Sequence, residues 1–306
     1  MKRLLTLVAL AATLTASAQV KVVKLWDNAS APHSNEDAGP QKEKNGNLYN
    51  TVDTELFIYP AAPDKATGQA VVVCPGGGYR FVSMPREGHE VGEWLSAEGI
   101  TVVALKYRLP NGHCQVPLED AEAALRYIRD HAAEYGVDPS RVGIMGFSAG
   151  GHLAAHYSTA YDCPEVRALF PDSKPVQASI LCYPVITADP AWAHLGSFDA
   201  LTGKTERTPE EIQKFSCEKL VTDHTPSAFL WHTAADGGVP VMNSLLYAQA
   251  LAAHRIPFEL HVYPEGEHGL ATSDARTLDK VLPEHEYAQA WLDCAKKWLH
   301  ITLKQA

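Results

Sequence analysis

Basic residues are scarce in this chain. Against 36 Asp and Glu stand 26 Lys and Arg, a formal net charge of −10. A surface of that sign repels nucleic-acid phosphates and anionic headgroups, so neither nucleic acid nor a membrane is an expected partner. Long apolar runs are missing as well. The apolar stretch Leu4–Leu14 falls short of the roughly 20 residues that a spanning helix needs. The six cysteines, Cys74, Cys114, Cys163, Cys182, Cys217 and Cys294, contain no Cys-x-x-Cys pair. That spacing indicates neither a zinc knuckle nor a dithiol redox motif. Cys74 and Cys182 lie inside apolar runs and read as buried free thiols. Internal repeats and low-complexity linkers are absent, so the chain reads as one domain.

What is present begins with an export-like leader. Lys2 and Arg3 precede the apolar stretch, and Ala16-Ser17-Ala18 is a small-residue cleavage site. Residues 1–18 are therefore expected to be a signal peptide, with a mature chain from near Gln19 in a periplasm or outside the cell. Residues 19–50 are polar and show little periodicity, and they read as a surface-lying arm. Beyond Thr54, strand-like and helix-like segments alternate. Strands are expected at 56–59, 70–74, 100–105, 141–146, 178–183, 228–232 and 258–262. Helices are expected at 88–98, 118–135, 149–160, 241–254 and 285–299. Nearly all-apolar strands alternating with helices predict an α/β class with a mainly parallel central sheet and helices on both faces. The segment 185–225 breaks that rhythm and reads as a small inserted cap.

The sharpest motif is Gly146-Phe147-Ser148-Ala149-Gly150, placed between a strand and a helix. A serine in such a tight strand-to-helix turn stands clear of the sheet, and the flanking glycines remove Cβ atoms that would clash. The helix N-terminus behind it favours a developing anion. Ser148 is thus a candidate nucleophile. Cys74-Pro75-Gly76-Gly77-Gly78-Tyr79 ends another apolar strand and can bring backbone N–H groups to a ligand. Gly77, Gly78 and Ala149 are the candidate oxyanion-hole donors. The loop lacks the lysine of a phosphate-binding Walker loop and the spacing of a dinucleotide fingerprint. A serine needs a base, and the order for this fold is Ser, acid, His. His268 lies in the Gly-flanked loop Tyr263–Gly269 after a strand, and Asp236 lies after the preceding strand. Asp223 and Glu267 are alternative acids. His152 and His156, spaced i, i+4, lack the glutamate of a zinc-protease helix and read as packing or hydrogen-bonding residues. No metal or other cofactor is expected.

Taken together, Cys74–Tyr79, Gly146–Ala154, Trp231–Pro240 and Tyr263–Gly269 resemble the acetylxylan-esterase-like branch of the α/β-hydrolases, which is related to the hormone-sensitive-lipase-like esterases. The resemblance runs from about Leu48 to Leu299. It implies the α/β-hydrolase fold and triad roles for Ser148, Asp236 and His268. It also implies oxyanion donors at Gly78 and Ala149, and a short acyl group on plant cell-wall carbohydrate as substrate. Lipase-like relatives carry a His where this chain has Cys74-Pro75, which argues against a long-chain lipid. The rivals are a serine peptidase of the prolyl-oligopeptidase kind, for whose extra domain the chain has no room, a two-carboxylate glycosidase, and a non-catalytic carbohydrate-binding protein.

Overall fold

The computed structural model describes residues 19–35 and 39–304. The leader-like segment 1–18 lies outside the described residues. The chain opens with β1 (Lys21–Asp27), β2 (Lys42–Lys44), β3 (Asn47–Tyr49) and β4 (Asp53–Tyr59). Next come β5 (Ala70–Cys74), β6 (Phe81–Val82), β7 (Thr101–Lys106) and β8 (Val142–Phe147). The last strands are β9 (Ala178–Cys182), β10 (Ser227–Thr233) and β11 (Phe258–Tyr263). Eight of these form one sheet in the order β1-β4-β7-β5-β8-β9-β10-β11, and β2, β3 and β6 form a small second sheet. Strands β7 through β11 pair in parallel, whereas β1 and β4 run antiparallel at one edge. In the centre, Val72 sits opposite both Val103 and Ile144, and β5, β7, β8 and β9 are wholly buried. Unbroken apolar strands fit burial on both faces.

Side-chain alternation along β10 locates the two helical layers. Phe229 and Trp231 point to one face. There they meet Trp298 and Trp291 of α9 (Trp291–Thr302), the latter stacked at 5.0 Å and 17°. Trp94 of α1 (Glu90–Ala97) joins that cluster at 5.3 Å from Trp291. His232 points to the other face and bonds Ser244 of α7 (Met242–Ala253). Helices α2 (Val116–Asp130) and α3 (Ser148–Ala160) pack against each other and on the sheet, and the short α4 (Pro164–Leu169) follows before β9. The segment between β9 and β10, expected as the cap, carries α5 (Leu195–Thr202) and α6 (Pro209–Phe215).

Two expectations need correction. The 19–50 arm contains three strands, and the first joins the main sheet: β1 pairs with β4 in the register Val22↔Phe57. As an edge strand it keeps much of its surface in solvent, so its sequence lacks a buried run. Distant bonds hold it down. Trp26 Nε1 donates to Asp120 Oδ1 at 2.7 Å, and Asn35 Nδ2 donates to the carbonyls of Thr51 and Leu109. Asp120 also pairs with the fully buried Arg108, at 2.7 Å to Nη2. The single helix expected at 285–299 is in fact two, α8 (Pro283–Ala288) and α9. Across the break, Gln289 Nε2 bonds Asp274 and Trp291 Nε1 bonds the Ala271 carbonyl, tertiary contacts that helical periodicity does not encode.

Candidate active site

Ser148 begins α3 directly after β8, with φ +52°, a left-handed conformation unusual for any residue but glycine. The motif glycines are needed for close approach. A Cβ on Gly146 would lie 2.0 Å from the Gly150 carbonyl oxygen, and one on Gly150 would lie 2.1 Å from that of Cys74. The chain can therefore turn this sharply only with glycine at both positions, and the turn lifts Ser148 over the carboxyl ends of the strands.

The loops after β10 and β11 bring the partners. Ser148 Oγ and His268 Nε2 are 2.8 Å apart, and His268 Nδ1 lies 2.7 Å from Asp236 Oδ2. Facing a carboxylate, Nδ1 carries the proton, which leaves Nε2 to accept from the serine hydroxyl. Asp236 Oδ1 accepts the N–H groups of Gly238 and Val239, both at 2.8 Å. Its Oδ2 also lies 3.3 Å from Nε2 of the fully buried His232. Burial alone pushes the Asp236 carboxyl up, but the bonds from His232 and His268 outweigh it and hold the group well below the usual carboxylate range. Asp236 is thus a fixed anion that orients one imidazole. The alternative acids are engaged elsewhere: Asp223 with His254 at 2.8 Å, and Glu267 with His285 at 2.9 Å.

The glycine loop passes directly over Ser148, since a Cβ on Gly76 would lie 3.0 Å from Ser148 Cβ. Gly76 N–H is committed to Glu87 Oε2 at 2.8 Å. The N–H groups of Gly77 and Gly78 have no backbone partner among the described residues, so they and Ala149 are the donors available to an oxyanion. Gly77 and Gly78 differ in what they tolerate. Gly77 has φ +127°, and a Cβ there would lie 2.0 Å from the Phe81 carbonyl oxygen; Gly78 has φ +62°, with nothing nearer than 3.8 Å. Gly77→Ala should therefore displace the loop and cost roughly 10²–10³ in kcat, the effect of losing one oxyanion donor. Gly78→Ala should cost about tenfold or less, from left-handed strain alone. Steady-state kinetics of the two variants on p-nitrophenyl acetate check this, and equal losses would contradict it.

Sequence reasoning missed three supports of this site. Glu87, buried in a π-helical turn (Met84–His89), accepts the Gly76 N–H through one oxygen and the Tyr183 hydroxyl through the other at 2.7 Å. The Tyr183 hydroxyl in turn accepts the Ala271 N–H at 2.9 Å, and its ring stands edge-on to His268 at 5.1 Å. One carboxylate thus ties the glycine loop to the segment that carries His268. Burial raises its pKa, against the lowering bonds from Tyr183 and Gly76. Glu87 has no local signal in the sequence. Tyr183 sits just past the carboxyl end of β9, but the strand expected at 178–183 takes it in as its last residue, one position too far for the strand-end rule to single it out. The third support, His232, lies inside a strand and looks like any core residue.

The remaining histidines of α3 serve architecture. His152 Nε2 donates to the Phe215 carbonyl and Nδ1 accepts from Tyr79, both at 2.9 Å, joining the glycine loop to α6. Burial lowers its pKa to about 4 and that of neighbouring His156 to about 3. An unfolded histidine titrates near 6.5, so between that pH and about 4 the unfolded chain takes up a proton that folded His152 refuses. Stability is complete above pH 6.5 and declines through this window, by about 3 kcal/mol for His152 at about 1.4 kcal/mol per unit. Urea unfolding at pH 7 and pH 4.5 should show a smaller decline in His152→Gln, whose amide can reach the same two partners.

Residues 56–251, more than half of the chain, match the BD-FAE family model. The chain belongs to the BD-FAE family. It is 38% identical over 210 residues to an acetylxylan esterase of Xylanibacter ruminicola, an alignment covering 68% of this chain and 42% of that protein. It is 36% identical over 228 residues to endo-1,4-beta-xylanase B of Butyrivibrio fibrisolvens, covering 72% of this chain and 35% of that protein. The chain therefore spans less than half the length of these two relatives. Among solved structures, an acetyl ester-xyloside bifunctional hydrolase from Caldicellulosiruptor lactoaceticus superposes with a TM-score of 0.73 at 35% identity. That match covers 92% of this chain and 96% of the other. The fold of this BD-FAE member is accordingly that of the α/β-hydrolases.

Proposed function

We propose that this chain is a serine carboxylic-ester hydrolase that removes short acyl groups, foremost acetyl, from plant cell-wall carbohydrate. The observation that carries the reading is the continuous path from Ser148 through His268 to Asp236 beside uncommitted glycine N–H groups. Ser148 Oγ attacks the ester carbonyl as its proton passes to His268 Nε2. The tetrahedral oxyanion takes hydrogen bonds from the loop glycines and Ala149. The imidazolium, held by Asp236, then protonates the leaving alkoxide. Water, deprotonated by His268, attacks the acyl-enzyme and releases the acid. The acetylxylan esterase and acetyl ester-xyloside hydrolase relatives support carbohydrate as the alcohol half and acetyl as the acyl half.

We also place the protein in a periplasm or outside the cell, supported by the Lys2-Arg3, Leu4–Leu14 and Ala16-Ser17-Ala18 pattern. Acetate release from acetylated xylan, measured beside p-nitrophenyl acetate, a feruloyl ester and a peptide amide, tests the assignment. Acetate release with negligible amide cleavage is expected. Turnover of the peptide alone would overturn it.

A further inference from the structure

Beside the glycine loop the surface opens into a cleft of about 580 Å³, within the range of small-ligand sites. Its near wall is formed by Tyr79 and Arg80, the two residues after Gly78. Its far wall combines the turn at Asn111 and Gly112 with Asp199 and Ala200 of α5. Contacts lead from the reacting centre to this cleft. A Cβ on Gly78 would lie 3.9 Å from His194 Cε1, and one on Gly196 would lie 3.7 Å from that same atom and 3.8 Å from Arg80 Nη2. Burial lowers the pKa of His194, and the charges of His268 and Arg80 lower it further.

The far wall is preformed. Gly112 N–H donates to the Ala200 carbonyl at 3.1 Å, and Gly112 approaches Gly203 so closely that a Cβ would lie 3.3 Å from the Gly203 Cα. The polar groups form a mixed set. Arg80 offers only donors, and the exposed Asn111 offers both kinds. Asp199 spends Oδ1 on Arg207 at 2.9 Å, which offsets its charge and leaves Oδ2 as an acceptor. A hydroxyl both donates and accepts, so a neutral polyhydroxylated ligand matches this lining. A lipid chain would find little apolar surface, and a polyanion only one free cation among the lining residues.

We propose that this cleft binds the sugar chain on the alcohol side of the scissile ester, with Arg80, Asn111 and Asp199 engaging its hydroxyls. The inference rests on the carbohydrate-esterase reading above. It assigns the acyl group to the Ser148 side of His194 and the glycan to the Arg80 side.

The test compares kcat/KM for acetylated xylo-oligosaccharides with kcat/KM for p-nitrophenyl acetate, in the wild type, Arg80→Ala, Asn111→Ala and Ala200→Phe. All three replaced side chains lie at least partly in solvent, and a thermal melt verifies each fold. The ratio of glycan to small-ester efficiency should fall about tenfold or more in Arg80→Ala, equivalent to one charged hydrogen bond of about 1.4 kcal/mol. It should fall further in Ala200→Phe, which fills the cleft, and the loss should appear in KM. Arg80→Lys should recover part of it. If the wild type deacetylates the oligosaccharide but the ratio stays unchanged in all the variants, the subsite alone would be overturned. A wild type that hydrolyses p-nitrophenyl acetate but releases no acetate from the glycan would overturn both subsite and carbohydrate reading.

Discussion

Ser148→Ala is expected to lower kcat on p-nitrophenyl acetate by about a millionfold, the scale set by loss of a serine nucleophile, with little change in the thermal midpoint. The hydroxyl makes its one described side-chain bond to His268 Nε2. His268 is part-exposed, so water can replace that hydroxyl without leaving a buried group unpaired. The alanine Cβ occupies the place of the serine Cβ, and the left-handed backbone is held by Gly146 and Gly150 rather than by the hydroxyl. The variant should fold normally, lose its burst of p-nitrophenol, and no longer form a covalent adduct with a fluorophosphonate. Undiminished turnover would place the nucleophile elsewhere.

Asp236→Asn should cost about 10⁴ in kcat, the typical effect of presenting the base in the wrong tautomer. The asparagine Oδ1 can keep its two bonds from Gly238 and Val239, so the loop stays in place. Its Nδ2 then faces His268 Nδ1 and His232 Nε2, where the aspartate accepted from both. Two N–H donors cannot satisfy a third. His268 relieves the conflict by moving its proton to Nε2, where it can no longer take one from Ser148. His232 cannot move so easily, because its Nε2 also lies 3.0 Å from the Val239 carbonyl and its Nδ1 is engaged with Ser244. The variant should therefore also be destabilised, by about 1–3 kcal/mol for a buried donor left poorly paired. Urea unfolding beside the kinetics separates the two effects. A variant with full stability and full activity would remove Asp236 from the site.

The strands that carry these loops were readable because burial on both faces demands unbroken apolar sequence, and β5, β7, β8 and β9 supply it. Positions 148, 236 and 268 were readable for a related reason, since each follows such a strand inside a glycine-marked turn. What escaped is held by contacts distant in the chain. β1 looks polar because it is an edge, and its hold on the body depends on Trp26 meeting Asp120 across 94 positions. Glu87 and Tyr183 are 96 positions apart, and neither has a motif around it. The two-helix C-terminus escaped because an amphipathic period continues across a break that tertiary bonds impose.

The imidazole that joins Tyr79 to Phe215 constrains any redesign of specificity. Transplanting the 185–225 segment from a relative is an obvious route to a new substrate. The donor segment would have to present a main-chain oxygen where Phe215 now does. Without one, Nε2 of a fully buried ring keeps its proton and has no acceptor, and the ring that bonds Tyr79 beside Gly78 loses its anchor on the other side. A chimera with an ideal new pocket could then be slow on every ester, for want of one carbonyl far from its substrate.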